Sequence, residues 1–378
     1  MTIGVLGGGQ LGRMLAIAGL PLGLKFRFLD PSRDAVAGHA GKLICDDFND
    51  PKHLDAFCAG LDVCTYEFEN VPLDLARRVA ERCPLRPGLE PLRRSQDRLL
   101  EKTLFTELGI PTPAFRPADS LASLTQAVAA VGYPCVVKTR RLGYDGKGQA
   151  VIRRPEDVPA AWTDLQRGAA ADQPAALIVE AFVHFTRELS VIAARSTTGQ
   201  TVIYPLNQNT HAGGILRTTL APAPNTSAEL IRRAHALITS LLDSLAYVGV
   251  LTVELFDTPD GLLANEMAPR VHNSGHWTID AARTSQFQNH LRAILGWPLG
   301  PTDVSGGGHA AMINLIGAAP PVAEMLAIPH AAVHWYGKQP RAGRKTGHIN
   351  LSAATAQDRD ALLHATLQRV NAGTVMNA

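Results

Sequence analysis

Lys138 and the run Gly143-Tyr144-Asp145-Gly146-Lys147-Gly148-Gln149 are the residue types that hold a phosphate. Three glycines in seven residues let the main chain approach a ligand closely, and the two lysines supply positive charge. The β-branched stretch 134–139 reads as a strand feeding straight into this loop. Two readings fit: a flap closing over phosphates, or a glycine-rich hairpin with solvated lysines. The rest of the chain has to decide between them.

Two acids farther on pose a sharper question. Residues 250–256 alternate as a strand, Pro259-Asp260-Gly261 reads as a turn, and 262–267 return. A three-residue loop pairs Thr258 with Leu262 and sets Glu254 opposite Glu266. Facing carboxylates repel unless a cation lies between them, and hard oxygen donors of this kind suit Mg²⁺ together with a phosphate. A register one residue away sets Glu254 against Asn265 instead. Directly after the hairpin come Arg270, His272, Asn273, Ser274 and His276, a density of polar groups that favours a site over a structural loop.

Other segments offer weaker signals. Residues 176–179 form a short apolar strand leading to Glu180-Ala181-Phe182-Val183, a hinge whose backbone can pair with a base edge. Glu188 lies where it can accept from ribose hydroxyls; the competing reading is two exposed glutamates. Residues 207–216, with His211 and two glycines, read as a site loop. Arg98 and Lys102 share one face of a helix expected over 95–108 with Ser95 as its cap, and read as a solvated stripe or a phosphate site. Lys338, Arg341, Arg344 and Lys345 form a basic run, either a clamp for a phosphate monoester or a surface hairpin.

The elements that must position these groups start with a βαβ unit. An apolar strand over 2–6 leads into Gly7-Gly8-Gly9-Gln10-Leu11-Gly12 and a helix, and a second strand ends at Asp30. This satisfies the dinucleotide pattern, although any anion can sit at such a helix start, so a nicotinamide-dependent oxidoreductase stands as an alternative. Two acids and an amide, Glu67, Glu69 and Asn70, close the strand over 63–68, either facing a ligand or capping the next helix. Residues 84–91 and 296–308 read as boundaries rich in proline and glycine, 227–245 as an amphipathic packing helix, and 356–371 as a terminal helix.

With 378 residues the chain fits two or three domains. Its hydrophobic content of 46%, charged content of 19% and net charge of +2 are those of a globular protein with no case for nucleic acid or a membrane as partner. The five cysteines form no C-x-x-C pair and suit buried reduced thiols. No signal peptide or membrane span is read, and the expected location is cytoplasmic.

Taken together, the 7–14 loop, Glu67-Phe68-Glu69-Asn70, the 143–149 run, the 265–277 run and Arg344-Lys345-Thr346-Gly347-His348 resemble the N5-carboxyaminoimidazole ribonucleotide synthase family, ATP-grasp ligases of purine synthesis, over essentially the whole chain. The resemblance implies an α/β fold with a Rossmann-like domain (1–92), an α+β ATP-grasp centre (93–300) and a small C-terminal domain (301–378). It implies ATP ligands at Arg98, Lys138, Gly143, Tyr144, Asp145, Gly146, Lys147, Gly148, Gln149, Glu180, Ala181, Phe182, Val183, Glu188, His211, Asn265 and Glu266. Glu254 and Glu266 would hold Mg²⁺. Tyr144, Arg270, His272, Asn273, Lys338, Arg344 and Lys345 would hold aminoimidazole ribonucleotide, with Asp145, Arg270 and His272 nearest the chemistry. The implied reaction is ATP-dependent carboxylation of an amine by bicarbonate, in a homodimer. A nucleotide sensor and a formate-using transformylase of the same superfamily remain as other readings. The alanine-rich stretch 163–174 reads as a surface insertion.

Overall fold

The computed structural model describes residues 1–143, 148–167 and 175–376. Three sheets organise them. The first is parallel, β3-β2-β1-β4, from β1 (Thr2–Leu6), β2 (Lys25–Asp30), β3 (Lys42–Cys45) and β4 (Val63–Tyr66). The second, antiparallel and ordered β5-β8-β6-β7, contains β5 (Phe115–Ala118), β6 (Cys135–Thr139), β7 (Gln149–Ile152) and β8 (Leu177–Ala181).

The third sheet has nine strands. It joins β9 (Arg187–Arg195), β10 (Thr201–Ile203), β11 (Asn207–Ala212), β12 (Ile215–Ala221), β13 (Gly249–Thr258), β14 (Gly261–Ala268), β15 (His309–Ile316), β16 (Ala331–Trp335) and β17 (Lys345–Ala353). Its order is β14-β13-β9-β11-β12-β15-β17-β16, with β10 on β9. The last three strands therefore continue the large sheet through β12 and β15. Residues 207–216, expected as a loop, are instead the β11–β12 hairpin turning at Gly213 and Gly214.

The packing helix forms as its spacing predicts, over Ala228–Ser244. Ser227 accepts the Leu230 N–H at its start, and Ala234, Leu237, Ile238, Leu241 and Leu242 make one buried stripe. The helix expected over 95–108 forms over Arg98–Glu107, after a separate helix at Leu89–Ser95, and its cap is Asp97 instead of Ser95, the Asp97 carboxylate accepting the Leu99 N–H. Pro91 sits in the first turn of the first helix, where its missing N–H costs nothing, so the proline that suggested a boundary belongs to an element. One core cluster combines β1 and β2 residues such as Val5 and Phe28 with Ile192, Trp277, Phe287 and Met312, which locks the first sheet onto the third.

The glycine loop after β1 is closed by the protein itself. Glu67, at the end of β4, accepts the N–H groups of Gly9 and Gly12, the latter at 2.6 Å, and Asp30 accepts that of Gly8 at 2.7 Å. A Cβ on Gly7, which has φ +104°, would stand 2.5 Å from the Glu67 side chain. A carboxylate thus occupies the helix start where a dinucleotide would place its pyrophosphate, which removes the support for a nicotinamide site.

Candidate active site

A cleft of about 610 Å³ lies between the second and third sheets and reaches the ends of β4 and β17. The second sheet contributes Lys138 and Gln149, and the third contributes Glu188, His211, Glu254, Asn265 and Glu266. The β1 loop adds Gln10 and Leu11, the end of β4 adds Glu69, and the far wall holds Arg270, His272, Asn273, Tyr336 and Lys345. Apolar surface comes from Val136, Phe182, Phe185, Phe256 and Met267, with the Phe185 and Phe256 rings stacked at 4.8 Å.

The carboxylate pair is present, by a route different from the expected one. The turn has two residues, since Thr258 pairs with Gly261, and this starts the hairpin in the register that would set Glu254 against Asn265. A bulge between Glu254 and Leu255 then absorbs Asn265 and restores Glu254 opposite Glu266. Burial, followed by the neighbouring Glu266 charge, pushes Glu254 up to about 7. Burial acts on Glu266 in the same direction, but Arg98, at 2.7 Å, outweighs it and holds that carboxyl at about 2. The buried Asn265 Oδ1 has no partner among the described residues. Two opposed hard-oxygen donors, with an orphaned carbonyl oxygen on the residue next to Glu266, fit Mg²⁺.

Lys138, Arg270 and His211, which all face the cleft, are each held by an acid. Lys138 Nζ lies 2.9 Å from Glu180, which Lys102 also approaches at 3.5 Å. Arg270 forks onto Glu69 at 2.5 and 3.0 Å. His211 meets Glu188 at 2.8 Å. Lys102 is fully buried, so the solvated-stripe reading of Arg98 and Lys102 fails, and Glu180 is equally inaccessible. Phosphates entering this cleft exchange one set of charge-assisted bonds for another instead of meeting bare cations.

His272 is placed by main chain and side chain alike. The Gln286 amide accepts its N–H at 2.9 Å and donates to its carbonyl at 2.7 Å. Its Nδ1 accepts the Ser274 N–H at 3.3 Å, which assigns the ring proton to Nε2, 3.3 Å from Glu254. Burial first, then Arg270, lowers its pKa to about 3, so the imidazole is neutral. Asn273 and Asn314 exchange two amide bonds, at 3.0 and 2.7 Å, joining this segment to β15.

Of the residues expected from sequence, Arg98, Lys138, Gly143, Gln149, Phe182, Glu188, His211, Glu254, Asn265, Glu266, Arg270, His272, Asn273 and Lys345 meet in the cleft. Lys338 reaches its rim by donating to Gln10, and Arg344 turns to the Gln339 carbonyl at 3.2 Å. Tyr144, Asp145, Gly146 and Lys147 lie outside the described residues, as do 168–174 of the expected insertion. Gln10, Glu101, Phe185, Phe256 and Tyr336 line the cleft without being singled out by the sequence reading, whereas Lys102, weighed there as a phosphate ligand, pairs with Glu180 instead. The only sequence signal for Glu101 is its place one turn beyond Arg98.

The His211–Glu188 pair gives a pH-dependent expectation. Burial lowers the His211 pKa and the Glu188 hydrogen bond raises it, with a net upward shift. The stabilisation is therefore complete below the unfolded-state pKa of about 6.5 and is lost as pH rises through the raised value. Thermal unfolding of His211→Gln is expected to show a deficit of about 1 kcal/mol at pH 6 that shrinks by pH 9; a deficit independent of pH would contradict the pairing.

Comparison with known proteins matches three family models in order: the ribonucleotide synthetase preATP-grasp domain over 1–96, the ATP-grasp domain over 103–287, and the phosphoribosylaminoimidazole carboxylase C-terminal domain over 310–361. The N5-carboxyaminoimidazole ribonucleotide synthase of Pseudomonas aeruginosa is 48% identical over 97% of this chain and 100% of its own length. The crystal structure of N5-carboxyaminoimidazole ribonucleotide synthetase from Thermus thermophilus aligns with a TM-score of 0.90 at 51% identity, covering 97% of this chain and 98% of that one. The Aspergillus clavatus synthase in complex with ADP and 5-aminoimidazole ribonucleotide aligns with a TM-score of 0.87 at 28% identity over 98% of each chain.

Proposed function

Because the chain belongs to the N5-carboxyaminoimidazole ribonucleotide synthase family of ATP-grasp ligases, we propose that this cleft carries out the ATP- and bicarbonate-dependent carboxylation of 5-aminoimidazole ribonucleotide in purine synthesis. The supporting observation is that one cleft holds both the Arg98, Lys138, Glu254 and Glu266 cluster and, facing it, Arg270, Asn273 and Lys345. A nucleotide triphosphate and a second anionic substrate can meet there.

In this reading bicarbonate oxygen attacks the γ-phosphorus and ADP leaves, forming carboxyphosphate. The exocyclic amine of the ribonucleotide then takes the carboxyl carbon, phosphate departs, and the amine gives up a proton. Lys138 and Arg98 neutralise phosphate charge, Glu188 accepts from ribose hydroxyls, and the backbone of residues 180–183 borders the adenine. Glu254 and Glu266 would hold Mg²⁺, which when bound draws off charge developing on the phosphoryl oxygens. The family resemblance makes residues 143–149 the phosphate flap, a role that would keep water from the labile anhydride.

Arg270, Asn273, Lys338, Arg344 and Lys345 hold the ribonucleotide, and the family resemblance adds Tyr144 as a further ligand. Asp145 and His272 are the candidates for accepting the amine proton, and His272 can do so only if its bond from Ser274 gives way. The proposed domain limits are 1–92, 93–300 and 301–378. A homodimer and a cytoplasmic location complete the reading; among the described residues no helix is long and apolar enough to cross a membrane.

The test is ADP release with Mg-ATP and bicarbonate, with and without the ribonucleotide. Strong stimulation by the ribonucleotide is expected, and indifference to it would overturn the reading. In the same assay Arg270→Lys, which cannot fork onto Glu69 or a carboxylate-like partner, is expected to raise the KM for the ribonucleotide roughly tenfold, with that for ATP little changed.

A further inference from the structure

β14 is an edge strand of the nine-stranded sheet, so its outward main-chain groups have no strand to bond. At Ala264 and Met267 they bond instead to the Arg98–Glu107 helix and the turn after it. The Ala264 N–H donates to the Pro111 carbonyl at 2.7 Å, and the Ala264 carbonyl accepts from Thr112 Oγ1 at 2.8 Å and Lys102 Nζ at 3.3 Å. The Met267 N–H donates to Glu101 Oε1 at 2.5 Å.

The spacing of these two anchor points is informative. Outward groups of a regular strand recur at every second residue. Here they fall at 264 and 267, three apart, and the bulged Asn265 lies between them. Both anchors are ionisable side chains adjacent in the helix, Lys102 at 0% and Glu101 at 2% exposure. Burying an acid to satisfy one edge amide is costly, since a hydroxyl, a carbonyl or solvent would serve a plain edge. The same helix carries Arg98, whose guanidinium holds the Glu266 carboxylate. Three side chains within five residues therefore fix Glu266 from the main chain on both sides of the bulge and from its own oxygens.

We propose that Glu101, assisted by Lys102 and Thr112, is a positioning residue that fixes the Asn265 bulge and thereby sets Glu266 opposite Glu254 for a metal-bound nucleotide. This rests on the magnesium reading of the pair. A regular hairpin from the observed turn would turn Glu266 away by one residue, to the other face of the strand. Glu101 acts through the Met267 N–H.

The test is calorimetric binding of ADP alone and of ADP with Mg²⁺, in the wild type, Glu101→Met, Glu101→Gln and Thr112→Val. The wild type is expected to gain roughly tenfold or more in affinity from Mg²⁺. Glu101→Met, similar in size but without an acceptor, is expected to keep its metal-free ADP affinity within about twofold and to lose most of the Mg²⁺ gain. Glu101→Gln, which restores a neutral acceptor, is expected to recover the gain, and Thr112→Val to lose about threefold of it.

A Met variant that retains the full gain, or one that loses metal-free and metal-dependent binding in equal proportion, overturns the proposal. So does a Gln variant that folds and fails to recover the gain. Should Glu101→Met not fold, an unchanged gain in Thr112→Val overturns it equally. A wild type with no Mg²⁺ gain overturns the magnesium reading, and this inference with it.

Discussion

Glu266→Gln is expected to reduce ribonucleotide-stimulated ADP release by roughly 10³-fold while the chain stays folded. The substitution keeps size and hydrogen bonding but removes the charge that opposes Glu254 across the hairpin. Two consequences follow from the geometry. Arg98, 2.7 Å from Glu266, loses its anionic partner and turns to whatever phosphate enters. Glu254, raised by burial and then by the Glu266 charge, falls toward the ordinary carboxylate range. ADP without metal should accordingly bind the variant as well as or better than the wild type, while the Mg²⁺-dependent gain disappears. Retained turnover, with a normal dependence on Mg²⁺, would remove Glu266 from the metal site.

Lys138→Met is expected to lower kcat/KM for ATP by roughly 10²- to 10³-fold, with a stability loss of only about 1–2 kcal/mol. The asymmetry comes from Glu180. Removing one partner of a buried ion pair ordinarily costs several kcal/mol because the other charge is left alone. Here Glu180 has a second cation, Lys102, at 3.5 Å, so it is not abandoned when Lys138 goes. The methionine fills the space of the lysine stem without supplying a phosphate ligand. Unfolding by denaturant and steady-state kinetics separate the two effects; a large stability loss with an unchanged KM for ATP would assign Lys138 to structure instead.

The sequence carried most of the architecture because each part announces itself by glycines and polar residues at strand ends. The βαβ start, the strand feeding the flap and the 228–244 stripe follow from local periodicity and capping, which short segments determine. What was illegible depends on contacts distant in sequence. A three-residue turn predicts the Glu254–Glu266 opposition from sequence, whereas the structure has a two-residue turn and recovers the opposition because Asn265 bulges, next to a strand segment bonded to the Arg98–Glu107 helix. Glu67 was recognised as a polar strand end, but its capping of the β1 loop requires the parallel pairing of β1 and β4. Sequence leaves Lys102 open between a solvated stripe and a phosphate site because helical spacing reports which residues share a face, not which face turns inward against Glu180. Ser95 and Asp97 are both good caps by type, and only the break after Leu89–Ser95 shows which one begins the second helix.

The most direct measurement of the central claim is carbon-13 NMR of a reaction containing Mg-ATP, the aminoimidazole ribonucleotide and ¹³C-labelled bicarbonate, sampled at mildly alkaline pH with ADP quantified in parallel. A labelled carbamate carbon on the exocyclic nitrogen is expected to appear in step with ADP, and neither product is expected in Glu266→Gln. ADP formed without fixed label, or label transferred only when formate replaces bicarbonate, would contradict that claim.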